Sequence, residues 1–134
     1  MRIYLDTGPL VALLNRRDAF HSWSVEQSGK LEPPFYTCEA VVTEAHYLLG
    51  GIRHGNRRLI DLLGSGKFIF PSTVSKNLDR IGELMIKFAT VPMSFADACL
   101  VCMAEQHDGA IFTLDGDFHI YRKNQKDELH LLIP

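Results

Sequence analysis

Short apolar runs alternate along this chain with longer stretches in which apolar positions recur three and four residues apart. The short runs, Arg2 to Leu5, Phe35 to Thr37, Lys67 to Phe70, Ala110 to Leu114 and His130 to Ile133, read as strands. The longer ones, Pro9 to Asn15, Ser22 to Ser28, Glu39 to Leu49, Asn56 to Leu63, Lys76 to Ala89 and Ser94 to Gln106, read as helices. In Lys76 to Ala89 the helical spacing is carried by Leu78, Ile81, Leu84, Met85 and Phe88. Pro33-Pro34 breaks the chain before the second strand, and Gly50-Gly51 and Gly64-Ser65-Gly66 stop two of the helices. Strands this short and apolar, separated by helical crossovers, predict a parallel sheet of about five strands covered on both faces, an α/β architecture in three α/β/α layers. No repeat, low-complexity stretch or linker interrupts the pattern, so residues 1–134 read as a single domain.

Composition narrows the setting. With 134 residues, 46% of them apolar, the chain can bury a sizeable core. No apolar run approaches the ~20 residues of a membrane helix, and no signal peptide is legible at the N-terminus, so a cytoplasmic protein without a membrane partner is expected. Three cysteines, an odd number, make no disulfide framework and suit a reducing compartment. A net charge of −2 offers nucleic acid no overall attraction, so any such contact must be local. Arg53-His54-Gly55-Asn56-Arg57-Arg58 and Arg16-Arg17 are the candidate patches; ordinary solvated surface is the plainer account of both.

Of the 16 acidic residues, four do not look like surface. Asp6 follows the first strand and Asp115 the fourth, which puts both at the carboxyl edge of a doubly wound sheet, where ligands bind; each also suits an Asx turn or helix cap. Glu44 has Ala40, Val41, Tyr47 and Leu48 as its helical neighbours, mostly an apolar face. A carboxylate there needs a cation or donors, or a paired Arg or Lys. Asp97 shares a face with Met93, Leu100, Val101 and Ala104, while Ser94-Phe95-Ala96-Asp97 also fits a capping box. Four carboxylates converging without a cation would repel one another, so their convergence predicts a bound metal. Oxygen ligands with no His or Cys cluster point to Mg²⁺ or Mn²⁺, and such a site commonly serves phosphoryl chemistry.

Four stretches then resemble a known family, the PIN-domain nucleases, and among them the small VapC-type toxins: Tyr4 to Leu14, Glu39 to Glu44, Ser94 to Ala98 and Thr113 to Phe118. Their order and spacing span nearly the whole chain. The resemblance implies a twisted parallel sheet with helices on both faces and divalent-metal-dependent cleavage of RNA. It also implies a homodimer and, in toxin systems, a small inhibitory antitoxin. It makes Asp6, Glu44, Asp97 and Asp115 the acidic metal site, with Thr113 as a supporting hydroxyl and Asp117 as a nearby carboxylate. Many relatives carry Ser or Asn where this chain has Gly8; Thr7 or water would then supply the hydroxyl. Arg16, Arg57 and Arg58 are the candidates for guiding the RNA backbone.

Other accounts fit less of the chain. Leu114 to Phe118 is similar to the aspartate loop of haloacid dehalogenase-type phosphatases, but Thr113 stands where that loop needs its nucleophile. Cys99-Leu100-Val101-Cys102 lies inside an apolar helix, where buried cysteines are inert. His119 lies close to Asp117, yet no second His is placed for metal-free acid–base cleavage. A PIN-like module that binds nucleic acid or protein without cutting is the alternative of a different class.

Overall fold

The computed structural model describes residues 1–71 and 73–134. Its strands are β1 (Arg2–Leu5), β2 (Phe35–Tyr36), β3 (Phe68–Ile69), β4 (Gly109–Phe112), β5 (Arg122–Lys123), β6 (Asp127–Glu128) and β7 (His130–Leu132). Its α-helices are α1 (Thr7–Leu14), α2 (His21–Gly29), α3 (Glu39–Leu48), α4 (Gly55–Leu63), α5 (Val74–Lys87) and α6 (Phe95–Gln106). Five strands form a parallel sheet in the order β3-β2-β1-β4-β7, and helices cover it in the expected three-layer arrangement. No helix is long and apolar enough to cross a membrane among the described residues.

Successive residues of a strand point to opposite faces of the sheet. Tyr4 and Leu5 in β1, and Ile111 and Phe112 in β4, are all buried, so apolar side chains are needed above and below alike. That is why these strands read as unbroken apolar runs and not as alternations. α6 lies against β1 and β4 and carries α5 on its flank, while α1 packs with α2, α3 and α4.

The connection pattern positions everything that follows. From central β1 the chain moves outward through β2 and β3, then returns to the other side of β1 as β4 and proceeds to β7. The segments leaving β1 and β4 therefore diverge, and a crevice opens between them at the carboxyl edge of the sheet.

Several predicted boundaries shift, each for a local reason. The first helix begins at Thr7, not Pro9, because the Asp6 side chain caps it by accepting from the Thr7 amide at 2.7 Å. Thr7, Gly8 and Pro9 thus form its first turn, where proline's missing N–H is harmless. The fourth strand ends at Phe112; the Thr113 amide still donates to the Leu132 carbonyl at 3.0 Å, and its side chain turns inward to bond Asp6. A hairpin of β5 and β6 went unread: Asn124 and Gln125 both adopt positive φ (49° and 74°), the conformation of a tight primed turn.

One glycine is required by close approach. Gly109 pairs with Arg2 across the sheet, and a Cβ there would lie 2.5 Å from the Arg2 carbonyl oxygen and 2.8 Å from a ring carbon of Tyr4. Gly109→Ala is expected to push β4 away from β1 and lower stability by about 3 kcal/mol, read as a shift in the urea unfolding midpoint. An unchanged midpoint would show that the β1–β4 pair yields at this end without cost.

Candidate active site

The site grows out of the last rung of the β1–β4 ladder. The Asp6 amide donates to the Phe112 carbonyl at 3.0 Å, and the Leu5 carbonyl accepts from the buried Thr37 hydroxyl at 2.8 Å. With its backbone held on both sides, Asp6 projects its carboxylate into the crevice. One carboxylate oxygen accepts from the Thr7 amide; the other accepts from the Thr113 hydroxyl at 2.6 Å. Thr113 is fully buried and its hydroxyl also accepts from the Asp115 amide at 2.9 Å, so one side chain ties the two strand-end acids together. Thr7 makes the matching link on the other side, its hydroxyl donating to Glu44 at 2.8 Å.

Asp97 enters from the first turn of α6. The capping box is present: Ser94 accepts from the Asp97 amide at 3.0 Å and the Asp97 carboxylate accepts from the Ser94 amide at 3.4 Å. The same carboxylate accepts from the Tyr121 hydroxyl at 2.7 Å. Tyr121 is buried, with its ring set edge-on against Phe118 and Phe88, which fixes the hydroxyl. Asp115 caps the short 3₁₀ turn Gly116–His119 by accepting from the Asp117 amide at 2.9 Å. Cap and site readings therefore coexist at Asp6, Asp97 and Asp115.

Asp6, Glu44, Asp97, Asp115 and Asp117 line one open concavity together with Thr7, Gly8, Leu48, Pro92 and Ser94. No Lys, Arg or His shares that lining among the described residues. Burial pushes the Asp6 carboxyl up to about 7, and the charges of Asp97 and Asp115 add to the effect, while the bonds from Thr113 and Thr7 offset it only in part. Burial likewise raises Asp97, against the bonds from Tyr121 and Ser94, and Asp115 raises it further. Burial and the neighbouring Asp97 raise the Tyr121 hydroxyl. Carboxylate oxygens without nitrogen or sulfur donors make a set suited to a hard divalent cation. The acids surround the concavity without closing into a cage: no three His, Cys, Asp or Glu side chains are gathered tightly enough to hold an ion among the described residues. The carboxylates of Asp6, Glu44, Asp97 and Asp115 are instead taken up by nearby hydroxyls and amides.

Two of the four acids expected away from the surface are in fact exposed. Glu44 faces outward because the buried strip of α3 runs through Val41 and Ala45 to Leu49, leaving Tyr47 and Leu48 exposed with it; it meets Thr7 and no Arg or Lys. Asp115 is exposed because β4 has already ended. Asp6 and Asp97 are buried as expected. A Cβ at Gly8 would lie 3.1 Å from that of Leu114, so glycine leaves room for this leucine, and the adjacent Thr7 shares the lining of the concavity. None of Arg16, Arg57 and Arg58 lines the acidic concavity; Arg57 pairs with Asp61 one helical turn on. Cys99 and Cys102 are buried, and burial pushes Cys102 up to about 11. Tyr121 and Thr37 were missed, since nothing local in the sequence links either to the site.

Comparison with known proteins establishes the family and the fold. The sequence profile of the PIN domain matches residues 3–124, and the chain belongs to that family. No curated protein matches it. Among solved structures it is similar to VapC20 of Mycobacterium tuberculosis, a sarcin–ricin-loop-cleaving toxin. That match has 22% identity and a TM-score of 0.77, over 86% of this chain and 91% of that one. It also resembles VapBC2 of Rickettsia felis, solved with a promoter DNA fragment, at 16% identity and a TM-score of 0.67 over 100% and 99% of the two chains. A Klebsiella pneumoniae toxin–antitoxin complex matches at 18% and 0.61, over 88% and 90%.

The raised Asp6 carboxyl has a consequence for stability. Between its ordinary value of 3.8 and about 7 the folded chain keeps a proton that the unfolded chain has released, so this residue costs stability increasingly as pH rises. Measured by urea unfolding in EDTA, Asp6→Asn should gain on the wild type by on the order of 2–4 kcal/mol between about pH 4 and about pH 8. A difference that stays constant across that interval would show that Asp6 ionises at its ordinary value.

Proposed function

We propose that this protein is a Mg²⁺- or Mn²⁺-dependent endoribonuclease and the toxin of a toxin–antitoxin pair. The single observation that carries the proposal is the ring of carboxylates around one crevice at the sheet's switch point, unaccompanied by any basic side chain and built around a buried aspartate that resists ionisation. Such an arrangement opposes its own charge until a cation joins it. Membership of the PIN family and the fold shared with VapC20, a sarcin–ricin-loop-cleaving toxin, support RNA as the substrate. The toxin–antitoxin complexes of the same fold support a small protein inhibitor. A homodimer and a cytoplasmic site of action belong to the same reading.

In this reading Asp6, Asp97 and Asp115 would hold the cation, with Glu44 and Asp117 at its edge. When bound, the cation would lower the pKa of water and neutralise charge developing on the phosphate. Thr113 and Thr7 hold the Asp6 oxygens in fixed directions, and Tyr121 does the same for Asp97. Glu44, exposed and tied only to Thr7, is free to accept a proton from an attacking water. In-line attack by that water on the phosphodiester leaves a 5′-phosphate and a 3′-hydroxyl.

Purified protein is expected to cleave RNA in Mg²⁺ or Mn²⁺ and to stop in EDTA. Asp6→Asn and Asp97→Asn should reduce cleavage to background. Tyr121→Phe should lose about 10- to 100-fold and recover partly as Mn²⁺ is raised, because a ligand that has lost its supporting bond binds metal less well. Undiminished cleavage by either aspartate variant overturns the site. RNA binding without cleavage across a broad substrate panel leaves the chain a binding module.

A further inference from the structure

A carboxylate-lined crevice repels the RNA it is proposed to cut, so attraction must come from elsewhere on a chain whose net charge is −2. The eight arginines divide sharply in this respect. Arg57 pairs with Asp61, Arg80 with Glu83 and Glu105, and Arg122 with Glu128, while Arg2 lies over the Tyr36 ring. The other four, Arg16, Arg17, Arg53 and Arg58, have no carboxylate partner among the described residues, and all four line a single concavity with Asn15, Gly51 and Ile52. No acidic side chain shares that lining among the described residues; Asp61, which pairs with Arg57, lies in the adjoining concavity beside Arg16 and Arg58.

The backbone brings them together from two parts of the chain. Arg16 and Arg17 follow the C-terminal end of α1, where the Asn15 side chain accepts from the Arg17 amide at 3.1 Å and turns the chain. Arg53 sits in the loop before α4, next to His54, whose positive φ of 60° starts that helix, and Arg58 lies on its first turns. Arg53 also donates to the His54 ring at 3.2 Å, a contact that leaves its charge uncompensated.

We infer that this four-arginine concavity is a second RNA contact, binding backbone phosphates at a distance from the acidic crevice. Guanidinium groups match phosphate oxygens bidentately and keep their charge at any working pH. An acidic protein segment would satisfy the same charges, but the placement favours RNA. α1 starts at the crevice with Asp6 and ends at the arginines, so the two sites are separated by about 12 Å, the rise of its eight residues. At about 3.4 Å per stacked nucleotide that is a reach of roughly four nucleotides. One strand can therefore present one phosphate to the acids and another to the arginines. The inference rests on the proposed nuclease reading for its substrate and differs from the simple sequence expectation in replacing Arg57 with Arg17 and Arg53.

The test uses the Arg17→Ala/Arg58→Ala variant, with Lys30→Ala, which removes a surface lysine paired with Glu26, as the control. Binding of a fluorescein-labelled mixed-sequence single-stranded RNA is followed by anisotropy in EDTA, so that affinity is read without cleavage. The double variant should bind about tenfold more weakly, and the slope of log affinity against log salt should fall by about 0.7 for each phosphate contact removed. In Mg²⁺ the KM for the long RNA should rise by the same factor with kcat unchanged. Equal affinity and equal salt slope in wild type and double variant overturn the inference, including the case in which the arginines serve an acidic protein. Arginine-dependent binding without cleavage supports the contact while overturning the nuclease reading. Cleavage with an unchanged KM does the reverse.

Discussion

The Asp6 carboxylate is the constraint on which the rest of the crevice depends. It sits at the end of the central strand, buried, with one oxygen bonded to the Thr7 amide and the other to the Thr113 hydroxyl. Those bonds join three segments that are remote in the chain: the end of β1, the start of α1 and the residue after β4. Thr7 extends the connection to Glu44 on α3, and Thr113 extends it to Asp115. A buried charge is tolerable only where donors or a counter-charge meet it. The donors here orient the carboxylate but do not remove its cost, which is why its proton is held to about 7.

The tension between function and stability follows from that arrangement. An apolar residue at position 6 would suit the sheet edge better, and an amide would remove the charge without changing the shape. The chain keeps an acid, and places Asp97 and Asp115 near enough to make ionisation harder still. Clustered acids around one pocket suit cation binding far better than they suit folding. Charge is segregated between two concavities: acids line the one at the start of α1 and four arginines the one at its end, with Asp61, which pairs with Arg57, in the adjoining depression.

Much of the fold was legible from periodicity alone. Five strands and six helices were read in the right order, because strands buried on both faces are continuous apolar runs and their covering helices repeat at helical spacing. The errors lie where side-chain bonds override pattern. Asp6 starts α1 two residues earlier than Pro9 suggested, and after β4 the Thr113 side chain turns in to bond Asp6. The β5–β6 hairpin, two residues to a strand, is set by positive φ at Asn124 and Gln125, which leaves almost no trace in hydropathy.

The same division holds at the site. The four acids could be singled out by their order and spacing, and a capping box at Ser94 and Asp97 could be read directly, since both are local properties of a few adjacent residues. Burial could not. Glu44 carries apolar neighbours in sequence yet faces outward, because which stripe of α3 meets the core depends on how that helix lies against α1 and α6. Tyr121 reaches Asp97 across 24 positions of chain, and Thr113 reaches Asp6 across 107. Arg57 and Arg58 are adjacent, yet one is neutralised by Asp61 and the other joins Arg16, Arg17 and Arg53. Local spacing determines what each segment becomes and which residues carry chemistry. Only the packed sheet and helices decide which of them meet, because contacts between distant segments are made by topology and by which face is turned inward, and no short stretch of sequence encodes either.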